Sequence, residues 1–92
     1  KEAILAYQSA LEEWTTDRAP ITWAMTTANL ATTQKSLAER LGDYGTAGLA
    51  LSSFKAAAEV FRNASHAKYY EFATEQVAKT RQLISEIQAS DD

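Results

Sequence analysis

The stretch Pro20-Ile-Thr-Trp-Ala-Met-Thr-Thr-Ala-Asn-Leu-Ala-Thr-Thr-Gln-Lys-Ser-Leu-Ala-Glu-Arg-Leu-Gly42 decides how the rest of the chain is read. Its ends are those of one long helix: proline suits the first turn, where the amide it lacks would be unpaired, and glycine suits a left-handed stop. At 100° per residue the stretch divides into three faces. Trp23, Leu30, Leu37 and Leu41 form a large apolar stripe. Beside it Ala24, Ala28, Ala31 and Ala38 form a small-residue face that lets another helix backbone come close. The third face, Thr22, Thr26, Asn29, Thr33, Ser36 and Arg40 bordered by Met25, is polar with a single charge. A helix with two apolar faces and one hydroxyl-rich face belongs between neighbours.

Upstream, Ala3, Tyr7, Ala10, Leu11 and Trp14 recur at helical spacing, which predicts a leading helix over about 2–15. The residues Thr16-Asp17-Arg18-Ala19 link it to Pro20. Because the chain starts inside a helical pattern, it reads as a piece of something longer. Downstream, Gly42, Gly45 and Gly48 predict a glycine-rich turn, with Thr46 as the N-cap of a helix over about 47–62. Ala50, Leu51, Phe54, Ala57, Ala58 and Phe61 would be its buried face. After Asn63-Ala64-Ser65, which reads as a helix cap and only formally as a glycosylation site, a final helix is expected to about residue 89. Tyr70, Ala73, Val77, Ile84 and Ile87 would face inward on it.

The last two helices are a diverged copy of the first two, 47 positions on. Ala3, Ala10, Glu12, Thr27, Ala31, Thr33 and Glu39 meet identical residues at 50, 57, 59, 74, 78, 80 and 86. Tyr7/Phe54, Trp14/Phe61, Trp23/Tyr70, Leu30/Val77 and Leu37/Ile84 keep size and apolarity. Repeated helical hairpins indicate an all-α solenoid in which each pair buries its apolar face on the next. The whole chain, 1–92, is read as one such domain of four antiparallel helices, with copies over 3–39 and 50–86. Tyr7, Trp14, Trp23, Leu30, Phe54 and Phe61 are expected in its core.

Ala50-x3-Phe54-x2-Ala57 and Ala3-x3-Tyr7-x2-Ala10 resemble the small-x3-aromatic-x2-small signature of the second helix of a tetratricopeptide repeat. The segment from Trp23 to Ala31 resembles the first helix of an extended bacterial form of that repeat, with Leu30 and Ala31 at its usual Leu-Gly/Ala pair. The resemblance implies the C-terminal part of a repeat array. A period of 47 instead of about 34, and the long glycine turn, depart from the common pattern. In the family the first helices line the concave face. The resemblance therefore implies a groove walled by Thr22, Thr26, Asn29, Thr33, Ser36 and Arg40 on one side and by Tyr69, Phe72, Gln76 and Leu83 on the other. Phe72 and Leu83 either line that groove or complete the core. Asn29 would stand where the family bonds ligand backbone, without the lysines that accompany it in carboxylate-binding members.

The final helix carries Glu71, Glu75, Ala78 and Ser85 where the long helix has its four alanines. With Glu75 and Lys79 spaced to pair, residues 66–89 read as a capping helix whose outer face is wet.

Composition narrows the function. Ninety-two residues with 46% hydrophobic and 23% charged side chains make one small globular domain and argue against disorder. A formal charge of −3 with nine scattered basic residues offers no stripe for a phosphate backbone, so nucleic acid is not an expected partner. Cysteine is absent, and no run is long and apolar enough to span a membrane. These features fit a cytoplasmic chain without a membrane partner. One histidine, His66, supplies no relay or multi-histidine metal site, and Glu12 and Glu13 point about 100° apart on a helix. The glycines follow a helix, not a strand, which excludes a dinucleotide or phosphate loop. No catalytic residue, metal or cofactor is expected. The reading is a non-catalytic module that binds a peptide segment of a partner protein in a concave helical groove. The alternative is a structural module that forms a homo-oligomer or packs on missing upstream repeats.

Overall fold

The computed structural model describes Ile4 and residues 19–91. Among these residues the chain is all-helical: α1 (Pro20–Leu41), α2 (Tyr44–Asn63) and α3 (Ala67–Asp91). The leading helix expected over about 2–15, and with it Tyr7 and Trp14, falls outside the described residues. Three helices packed on one another are what the structure shows.

Helix α1 has the expected bounds. Proline occupies its start, and the first intrahelical bond runs from the Trp23 amide to the Ala19 carbonyl at 2.9 Å. At the far end Gly42 takes φ 63°, and the amides of Gly42 and Asp43 both reach the Ala38 carbonyl, at 2.7 and 3.2 Å. A Cβ on Gly42 would meet nothing within 4 Å, so glycine is needed there for its backbone freedom alone.

Helix α2 corrects the expected glycine-rich turn. It begins at Tyr44, not near residue 47, and its cap is Asp43, not Thr46. One Asp43 carboxylate oxygen accepts the Gly45 amide at 3.0 Å, and the other accepts the Thr46 hydroxyl at 2.6 Å. The first bond satisfies an amide that the first turn leaves open, the second fixes the carboxylate in place, and the capped helix runs on through Gly45 and Gly48 in spite of their low propensity. The connection is therefore only Gly42-Asp43. At the other end Ser65 adopts φ 57°, the Ser65 amide donates to the Arg62 carbonyl at 3.0 Å, and the His66 amide donates to the Phe61 carbonyl at 2.9 Å. This paired pattern is a Schellman stop, with serine in the left-handed position that glycine normally takes. Ser65 thus terminates α2.

Connections this short force neighbouring helices to run antiparallel. The core confirms it: Ala24, Ala28 and Ala31 of α1 meet Phe54, Ala57, Ala58 and Phe61 of α2 and Ala73 of α3 at one end. At the other end Ala38, Ala47 and Ile87 form a smaller cluster, flanked by Leu83 and Ile84. The alanine face of α1 is thus the seam along which α2 approaches. Helix α2 is sandwiched; α1 and α3 meet only slightly.

Leu30, Phe54 and Phe61 are buried as expected. Trp23 is half-buried at the edge of the larger cluster, because the alanines and not the stripe of large residues face α2. Leu41, at the end of that stripe, is 66% exposed. Leu83 is half-buried: it packs against the smaller core cluster and also lines the seam between α1 and α3. On α3, Glu71, Glu75, Lys79 and Gln82 are exposed, and Lys79 pairs with Glu75 at 3.1 Å.

Candidate functional site

Since α1 and α3 lie on either side of α2 and scarcely touch, a seam runs between them with α2 as its floor. Near the N-terminal halves of α1 and α3 the seam opens into a cavity of about 290 Å³. Met25, Ala28 and Asn29 line one wall, Lys68, Tyr69 and Phe72 the other, and Phe61 contributes from the floor. Phe72 is 45% exposed and Met25 40%, large values for side chains with so much apolar area. Helical periodicity explains the placement: Met25 and Asn29 are one turn apart on α1, while Lys68 and Phe72 are one turn apart on α3.

The aromatic side of the cavity is built rigidly. His66 stacks on Tyr69 with ring centroids 4.2 Å apart, and Tyr69 lies 5.3 Å from Phe61. Phe61 itself is 1% exposed, so the cluster is anchored in the core. His66 has a packing role here.

Further along the seam a second, smaller cavity of about 220 Å³ is lined by Lys35 and Glu39 of α1 and by Lys79, Gln82, Leu83 and Glu86 of α3. Lys35 and Glu39 pair at 3.8 Å. The seam therefore changes from apolar to charged along its length.

Of the residues anticipated from sequence, the structure brings Asn29, Tyr69 and Phe72 together. Thr22, Ser36 and Arg40 are exposed on α1 but do not line the apolar cavity, and Thr26 is half-buried. Thr33 is half-buried, and its hydroxyl donates to the Asn29 carbonyl of its own helix at 3.2 Å. Gln76 is also half-buried, and its carbonyl accepts the Thr80 hydroxyl at 2.7 Å. Four lining residues, Met25, Ala28, Phe61 and Lys68, were not in the anticipated site. Lys68 lines the cavity with Asn29, and it could have been found as the residue one turn before Phe72. Phe61, read only as core, also forms the cavity floor.

Among the described residues no group of three or more His, Cys, Asp or Glu could hold a metal ion, and no helix is long and apolar enough to cross a membrane. Comparison with family models, with curated proteins and with solved structures finds no match to this chain.

Proposed function

We propose that this chain is a non-catalytic protein-interaction module, the end of a tetratricopeptide-like helical array, that binds a peptide segment of a partner protein along the seam between α1 and α3. The observation that carries this reading is the apolar cavity itself: Met25 and Phe72 stay exposed over a buried aromatic floor, with one amide and one ammonium group at the rim. An apolar anchor side chain would enter between Met25, Tyr69 and Phe72, while Asn29 bonds its backbone and Lys68 an adjacent carboxylate. The charged stretch around Lys35 and Lys79 would take the polar continuation of the same segment. Micromolar affinity is expected, because so short a seam offers less area than the standard interface of about 1,600 Å².

A peptide-library screen or pull-down comparing the wild type with Asn29→Ala/Phe72→Ala tests this. Since Phe72 is an exposed side chain, the variant should lose less than about 1 kcal/mol of stability and should stay folded. Selective loss of partners is the expected result; a folded double variant that keeps every partner defeats the reading. The structural alternative has its own observation in Leu41, Tyr44 and Leu49, which are 66%, 53% and 58% exposed around the α1–α2 turn. Sedimentation of the isolated chain, with Leu49→Glu as control, separates that role from peptide binding.

A further inference from the structure

Met25 and Phe72 are counterparts in the 47-residue copy, and they stand on opposite walls of the apolar cavity in the seam. The same position thus frames the cavity twice, once with a thioether and once with a ring. The thioether brings a chemistry that the ring lacks. Met25 is the single methionine of this sequence, which has no cysteine, so its sulfur is the one sulfur present. At 40% exposure it is open to a dissolved oxidant, while the cavity behind it is formed by Ala28, Tyr69 and Phe72 over the buried Phe61 ring.

A thioether suits that place, because it is apolar and makes favourable contacts with aromatic edges. Its sulfoxide does not, because the added oxygen makes the side chain polar and a hydrogen-bond acceptor. The Asn29 amide and the Lys68 ammonium group are donors in the same lining. The fold itself does not depend on the sulfur: Ala24, Ala28 and Ala31, at most 5% exposed, hold α1 on α2, and Met25 lies outside their cluster.

We infer that Met25 is a redox modification site whose conversion to the sulfoxide by a peroxide closes the seam to an apolar anchor. The inference rests on the peptide-binding reading of the seam and adds its regulation. In the step itself the thioether sulfur attacks one oxygen of hydrogen peroxide; the sulfur–oxygen bond forms, the oxygen–oxygen bond breaks, and the other oxygen leaves with the protons as water. Sulfur gives up the two electrons that the peroxide takes. The return needs a dithiol from outside this sequence: a methionine sulfoxide reductase removes the oxygen as water and ends as a disulfide.

The probe is the apolar fluorophore anilinonaphthalene sulfonate, titrated into the full chain before and after mild treatment with hydrogen peroxide. Peptide mass mapping should show one added oxygen, on Met25, and circular dichroism an unchanged helix content. The oxidised chain should bind the probe at least fivefold more weakly, and a methionine sulfoxide reductase with a dithiol should restore binding. Met25→Gln, polar and of similar length, should bind as weakly without treatment. Met25→Leu, whatever its own starting affinity, should lose nothing to peroxide. Phe72→Ala locates the probe. If that variant binds the probe as the wild type does, no apolar group enters the cavity, and the seam reading falls together with this inference. If Phe72→Ala weakens binding while oxidation does not, or if Met25→Leu responds to peroxide as the wild type does, the seam reading stands and this inference alone is overturned. Loss of helix content on oxidation overturns it as well, since the sulfoxide would then damage the fold and not close the cavity.

Discussion

Thr27 and Thr80 are both buried, and their hydroxyls have opposite surroundings. The Thr80 hydroxyl donates to the Gln76 carbonyl at 2.7 Å, whereas the buried Thr27 oxygen has no hydrogen-bond partner. An unmet buried polar group costs about 1–3 kcal/mol, while a satisfied one contributes about 1. Thr27→Val should therefore raise stability by about 1 kcal/mol. Thr80→Val should lower it by a similar amount, about 1 kcal/mol. Urea melts of the two variants check the pair, and equal effects would show that neither hydroxyl matters. The left-handed residues give a second pair: Ser65→Gly should gain about 1 kcal/mol and Gly42→Ala lose about as much, because only glycine enters that region freely. Phe54, with no exposed surface, should cost about 3–5 kcal/mol on truncation to alanine. A loss below about 1 kcal/mol would show that the register of α2 is wrong.

The helices were legible in the sequence to the extent that their ends carry distinctive residues. Pro20 and Gly42 have unique backbone demands, and α1 ends where they place it. The start of α2 was misread because Gly45 and Gly48 suggest a break, while the Asp43 carboxylate that overrides them acts through two bonds that composition does not display. The same bonds, first that from the Thr46 hydroxyl and then that from the Gly45 amide, hold the Asp43 carboxyl below the ordinary aspartate range. The sign follows: a depressed value in the folded state means that the cap contributes fully above the unfolded value, near pH 4, and is lost as pH falls through the folded one. Wild type should thus lose melting temperature on acidification below about pH 4 more steeply than Asp43→Asn, whose cap does not titrate. Parallel slopes for the two proteins would remove Asp43 from the acid response.

Across the whole molecule, apolar spacing anticipated that Phe54, Phe61 and Ala73 pack inward, but not what α1 and α3 would present to each other. Asn29 lies some 40 residues before Lys68 and Phe72 in the chain, and only the position of α2 between their helices brings them together. Leu83 was ambiguous for the converse reason, since apolar spacing is the same whether a helix face meets a core or a ligand. The outer face of α3 is a further case: where α1 has Ala24 and Ala28, α3 has exposed Glu71 and Glu75. Glu71→Ala/Glu75→Ala should leave stability nearly unchanged and promote self-association by restoring a stackable surface, and light scattering against concentration would show it. The two tight connections have a kinetic consequence as well. Because α2 is joined to its neighbours by the short links Gly42-Asp43 and Ala64-Ser65-His66, the helices that pack on each other are consecutive in the chain. Little loop entropy has to be lost before contacts form, so refolding of this region should occur within milliseconds or faster and in a single phase, one hairpin templating the next.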